Sequence, residues 1–309
     1  MAFDPKQLRA FALLGLVMLF WAGNAIVGRA VSGDVPPFTL SLIRWVGALT
    51  FLAPFAIAPV RRDVAEIRKS WAIILVLGLL GVGLFNAMLY TGLHYTTATN
   101  ALLILAAIPP LVVLIDRLVF GVRSEWLQII GTVLSIIGVA IIVFRGDLAA
   151  ALALQLGGGD VILLGAALVW ALYTSLLRLR PAIAPTSLIA TTFVVGALAT
   201  VPLALWEWHQ GLRVAWSWPV GAALLYVALL PSLLSFFIYN HAAQVVGPAR
   251  AGQAITMMPV FGAFLSALLL GEALHSYHAL GIGIICIGIA IGAWALRQAA
   301  KRHAANAGG

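Results

Sequence analysis

Residues 90–110 read YTGLHYTTATNALLILAAIPP, and residues 239–259 read YNHAAQVVGPARAGQAITMMP. Laid over each other at an offset of 149, they put Tyr90 on Tyr239 and Pro110 on Pro259. The same offset puts Trp21 on Trp170. An offset of 150 puts Gly131 on Gly281 and Gly138 on Gly288, and one of 148 puts Pro54 on Pro202. Spaced along most of the chain, these matches read as two related halves, 1–146 and 157–309, joined by GDLAAALALQLGG at 146–158.

The solvent of those halves follows from composition. Of 309 residues, 63% are hydrophobic and 9% charged, and the mean hydropathy is +1.07. Soluble domains carry roughly 25% charged residues. Apolar runs long enough to cross a hydrocarbon core of about 30 Å fall near 11–31, 37–58, 71–92, 96–119, 124–144, 159–179, 185–206, 217–241, 247–270 and 276–297. The two-residue alternation of a barrel is missing, so the runs read as helices, whose backbone groups are satisfied within the segment. The expected fold is an all-α polytopic membrane protein of ten transmembrane helices. Five helices per half is an odd number, so the halves must insert in opposite orientations. Two inverted five-helix repeats are the plan of many secondary transporters, with a substrate site near the midplane and alternating access to it.

The net charge of +8 is a topology signal rather than a nucleic-acid footprint. With the N-terminus cytoplasmic, fourteen Lys and Arg fall in inside segments and three (Arg29, Arg145, Arg213) in outside ones, while Arg44 lies within a span. That bias places both termini in the cytoplasm, as expected of a multi-pass protein of a bacterial inner membrane. The expected partners are a small-molecule substrate and the lipid bilayer, with no nucleic acid, in a monomer or a dimer. Cys286 is the single cysteine, which excludes an intramolecular disulfide. The basic start followed by an apolar run imitates a signal peptide, but the first span is needed to complete the repeat.

Polar and aromatic residues inside the spans mark the candidate site. Eight of the ten tryptophans lie near span ends and suit an interfacial belt. Trp21 and Trp170 lie near the centres of the first and sixth spans, each followed three residues later by a polar group, Asn24 and Tyr173. Asn86, Tyr90 and His94 form an i, i+4, i+8 stripe, echoed by Ser235, Tyr239 and Asn240. Polar groups facing lipid are costly, so these stripes face protein or a water-filled path. Interhelical hydrogen bonding, at about 0.6 kcal/mol per pair, is the competing account for Asn86, and solvation for His94 at the end of its span. Pro109 and Pro110 break the fourth span as Pro259 breaks the ninth, with Asn100, Gln253 and Thr256 nearby as possible lining. Arg44 reads as a snorkelling side chain, with attraction of an anionic group as the alternative. Gly288 with Gly292, and Gly131 with Ser135, predict close helix packing.

Absences narrow the chemistry. None of the three lysines follows a glycine, no GxSxG or HExxH occurs, and all ten acids lie outside the spans or near their ends. No catalytic residues, metal site or cofactor are expected. A membrane-embedded enzyme acting on lipids is the alternative class, and it would need an acid–base pair, nucleophile or metal.

The early Trp21 and Trp170, the tyrosine closing the third helix of each half, the proline of each fourth helix and GEAL at 271–274 resemble the drug/metabolite transporter superfamily, specifically its EamA family of paired five-helix units. The first half departs from the pattern at GVRSEW, 121–126. Within that family the chain is similar to the bacterial aromatic amino acid exporters. The resemblance implies export of small neutral or zwitterionic solutes, aromatic or hydrophobic amino acids foremost, with other neutral metabolites or drugs as the alternative. The absence of a mid-span glutamate and of clustered basic residues fits such solutes. The residues expected to hold them are Trp21, Asn24, Asn86, Tyr90, His94, Asn100, Trp170, Tyr173, Tyr239, Asn240 and Gln253.

Overall fold

The computed structural model describes residues 5–121, 126–147, 149, 157–246 and 254–307, and among these the regular structure is entirely helical. Seven helical segments are long and apolar enough to cross a membrane: Arg9–Ala30, Pro37–Lys69, Trp71–Tyr95, Ala98–Phe120, Gly158–Leu179, Pro185–His209 and Trp218–Tyr239. Shorter apolar helices cover Ile129–Ile142, Phe261–Leu270 and Ser276–Gly288. The outer surface carries exposed Phe55, Leu198, Leu205, Phe264 and Leu268, a surface suited to acyl chains rather than water.

Helices α1 (Pro5–Ala30) and α2 (Pro37–Lys69) are continuous. The third span is interrupted: α3 (Trp71–Leu77) passes through a π-helical segment, Gly78–Leu84, into α4 (Phe85–Tyr95). The same device recurs further on, where α10 (Trp218–Ala228) runs through a π-helical segment at Leu229–Leu234 into α11 (Ser235–Val246). A π turn frees carbonyls from the ordinary ladder. Ser232 and Ser235 take up two of them, donating to the carbonyls of Val227 (2.6 Å) and Leu230 (2.7 Å).

The double proline begins a helix rather than bending one. Helix α5 (Ala98–Leu105) stops, Ala106 and Ala107 make a turn, and α6 (Ile108–Phe120) starts with Pro109 and Pro110 in its first turn. There the missing amide hydrogens would have had no helical acceptor. Helix α7 (Trp126–Val143) packs on α13 (Ser276–Ala307). A Cβ on Gly138 would meet the Gly281 carbonyl at 2.7 Å, and one on Gly288 the Gly131 carbonyl at 2.5 Å. The glycine contact is therefore internal to the chain, and only hydrogen fits there.

The remaining elements are α8 (Gly158–Leu176), α9 (Pro185–His209) and α12 (Met258–Leu265), the last followed by a third π segment, Ser266–Leu270. Helices α2 and α9 run against each other and are fastened at both ends. Glu207, at the end of α9, accepts from the amides of Phe38 (2.8 Å) and Thr39 (2.7 Å) and from the Thr39 hydroxyl (2.7 Å). At the opposite end, Asp63 of α2 accepts from the Ala184 amide (2.8 Å) and the Ser187 hydroxyl (2.7 Å). Each carboxylate thus satisfies amides at the partner helix's start, where the helix dipole favours negative charge. Helix α5 is held in the same way by Glu272, which accepts from the amides of Ala98 and Thr99 and from the Thr99 hydroxyl.

One tryptophan departs from its expected place. Trp45 is fully buried, its ring 4.6 Å from Phe193 and 6.3 Å from Phe236. It belongs to the core of α2, α9 and α11 and not to an interfacial belt. Trp71, Trp126, Trp206, Trp208, Trp216, Trp218 and Trp294 are exposed.

Candidate functional site

A cavity opens in the middle of the bundle, with about 530 Å³ of empty space counting its mouth. Trp21, Asn24 and Ala25 reach it from α1, Arg44 from α2, and Phe85, Asn86 and Leu89 from α4. Leu102 and Leu105 come from α5 and Ile108 from the proline-started α6, so the break in that span lies on the cavity wall. Trp170 closes it from α8 and Phe236 from α11.

The aromatic part of the wall is a chain of edge and tilted ring contacts. Trp21 meets Trp170 with ring centroids 6.0 Å apart and Tyr239 at 5.3 Å. Trp170 in turn packs on Phe85 (4.5 Å) and Tyr173 (5.1 Å). Trp21 also donates its indole N–H to the Pro231 carbonyl in the second π segment, at 3.0 Å. This bond fixes the ring's orientation while its faces remain free for packing.

Arg44 organises the polar part, and the expectation that it snorkels to water fails. The residue is 3% exposed. Its Nε donates to Ser232 Oγ (2.6 Å), and Nη1 lies within hydrogen-bond distance of Asn24 Oδ1 (3.0 Å), Asn86 Oδ1 (2.8 Å) and Tyr90 Oη (2.8 Å). The Tyr90 hydroxyl donates its own hydrogen bond to Asn24 Oδ1 at 2.7 Å. Snorkelling would have required a path to water along α2. The acceptors supplied by α1, α4 and the π segment at Leu229–Leu234 hold the guanidinium inside instead. Sequence reasoning therefore ranked a functional role for Arg44 second to snorkelling and missed Ser232. A charge within an apolar span was the available signal.

Other expected residues are distributed as follows. Trp21, Asn24, Asn86 and Trp170 line the cavity, Tyr90 stands behind it in the Arg44 network, and Tyr173 and Tyr239 pack behind the two indoles. His94 does not join them. It sits half-buried near the end of α4, where its carbonyl and that of Leu93 accept from Arg29. Asn100 also lies away from the cavity. It is in the first turn of α5, with its Oδ1 3.0 Å from His278 Nε2 and its amide donating to Thr97 Oγ1. These two belong to the end of the bundle where Glu272 caps α5. The backbone of Asn240 is helical, but its side chain, like all of Gln253, lies outside the described residues.

Among the described residues no group of three metal-ligating side chains comes together, and no carboxylate lines the cavity.

The EamA-like transporter family matches the chain twice, over residues 8–144 and 157–293. The chain is 30% identical to an uncharacterized transporter of Archaeoglobus fulgidus over 277 residues, 89% of this chain and 93% of that one. It is 25% identical to the uncharacterized transporter YyaM of Bacillus subtilis (73% and 74% covered) and 25% identical to YetK of the same organism (92% and 86%). A crystal structure at 18% identity shares the fold, with a TM-score of 0.65 over 94% of this chain and 98% of that one.

Proposed function

The chain belongs to the EamA-like transporter family, and we propose that it is a secondary transporter that exports small neutral or zwitterionic organic solutes, aromatic and hydrophobic amino acids foremost. One observation carries the reading: the bundle's mid-depth cavity is walled by Trp21 and Trp170, with Asn24 and Asn86 beside them. Flat indoles offer a large contact area to a ring or branched side chain, and polar groups on the wall orient its polar end. In this reading the two halves are inverted copies, both termini lie in the cytoplasm, and exchanging the halves' conformations exposes the cavity to each face of the inner membrane in turn. Relatives named as transporters support membrane transport in general.

The test is flux. Full-length protein in sealed proteoliposomes is expected to move labelled phenylalanine or leucine down its gradient, with Trp21→Ala and Trp170→Ala slowing it. No flux above protein-free vesicles for any member of an amino acid and sugar panel would reject the reading.

A further inference from the structure

We infer that the cavity selects solutes bearing a carboxylate, held by the Arg44 guanidinium, on an apolar body. The inference rests on the transport reading and narrows it, because wholly neutral solutes drop out.

Arg44 is a full positive charge in the interior of a membrane-spanning helix, and its partners do not neutralise it. The ion pairs between described residues are Arg62–Asp63 and Arg178–Asp116, both remote from it. Around Arg44 the structure provides one serine hydroxyl, two amide oxygens, one phenol and one carbonyl, all uncharged. Buried charges are ordinarily paired with opposite charge, because removal from water is otherwise poorly compensated.

Its hydrogen bonding is also lopsided. Nη1 has two protons and three acceptors within 3.0 Å. Nη2 has two protons and a single distant acceptor, the Pro231 carbonyl at 3.5 Å, which already accepts from Trp21 at 3.0 Å. A guanidinium presents its donors as a planar fork that fits the two oxygens of a carboxylate. With Nε and Nη1 committed, Arg44 keeps its Nη2 protons in reserve on a wall of the cavity, enough for a charge-assisted bond to one carboxylate oxygen.

The rest of the wall sets the body of the solute. Phe85, Leu89, Leu102, Leu105, Ile108 and Phe236 offer no polar side-chain atom. With no carboxylate on the lining, an α-ammonium group finds no opposite charge, and the Asn24 and Asn86 oxygens are committed to Arg44. The site therefore reads the carboxylate and the apolar body, and an amine adds little.

Four compounds that share one phenylpropyl body separate these terms: phenylalanine, 3-phenylpropionate, phenylalaninamide and 3-phenylpropanol. Each is titrated into purified full-length protein, with tryptophan fluorescence and thermal stabilisation as readouts. The two carboxylates are expected to bind, roughly tenfold to a hundredfold tighter than the amide and the alcohol, as a charge-assisted hydrogen bond allows. Arg44→Gln should erase the difference and Arg44→Lys keep part of it. Equal binding of the amide or alcohol, binding of none of the four, or a folded Arg44→Gln protein that still discriminates would each overturn the inference. Should both variants fail to fold, the wild-type ranking decides alone. Flux distinguishes the two readings. Protein that binds the acids but moves no labelled phenylalanine defeats transport and leaves the carboxylate site, whereas equal flux of phenylalaninamide defeats the site and leaves transport.

Discussion

The indole of Trp21 meets that of Trp170 edge to face, with ring planes at 79°. The two residues are 149 positions apart, the offset that also superposes Tyr90 on Tyr239. On the proposed duplication they are equivalents, and equivalents in contact must straddle the pseudo-two-fold axis. A solute between the halves would then meet one from each. The pair contributes about 0.5–1.5 kcal/mol beyond its buried area. Trp21→Ala and Trp170→Ala are each expected to slow flux roughly tenfold while the protein still inserts into the membrane. Unchanged flux in both variants would place the solute elsewhere.

Removing a carboxylate cap strips a helix start of its acceptors. Glu207→Ala leaves the part-buried amide of Phe38 and the buried amide of Thr39 unpaired, and a buried donor left so costs about 1–3 kcal/mol. Glu207→Ala should lower the unfolding temperature in detergent, and Glu207→Gln, which still accepts, should lower it less. Equal losses in the two variants would show that the geometry of the cap contributes nothing.

The α7–α13 contact tolerates hydrogen and little more. Gly138→Leu would drive a side chain into the Gly281 carbonyl and Ile285, and overpacking of this kind costs about 1–3 kcal/mol. Gly283→Leu is the control, since a Cβ there meets nothing within 4 Å. Heat-stability profiles of the two variants should separate clearly, and coincident profiles would contradict the packing.

Orientation is open to chemical labelling. In a Cys286→Ser background, single cysteines placed at residues 2 and 305 should react with a membrane-impermeant maleimide only after the cytoplasmic face is opened. Opposite accessibility of the two positions would remove the even helix count on which the inverted repeat depends.

Composition made the helical membrane class legible, because an apolar excess of this size has few other uses. The family was legible in dispersed landmarks such as Trp21, Trp170 and the helix-starting prolines. Arg44 was misread for a physical reason. Its acceptors lie 20, 42, 46 and 188 residues away, and no periodicity within α2 reports which neighbour it faces. The stripe of Asn86, Tyr90 and His94 was sound as a helix face, but α4 ends at Tyr95. Its third member therefore reaches the end of the bundle while the first two meet Arg44. The carboxylate caps were invisible for the same reason as Arg44: a sequence locates an acid near a span end without naming the amides it serves.

The reciprocal caps of α2 and α9 constrain how the molecule can move. Sliding one helix past the other by a single residue, about 1.5 Å, would pull Glu207 from Thr39 and Asp63 from Ser187 at once. Tilting or rolling about their shared length disturbs neither end as much. On the proposed alternating access, the two helices would serve as an axle, and whatever swings to uncover the cavity would turn around it.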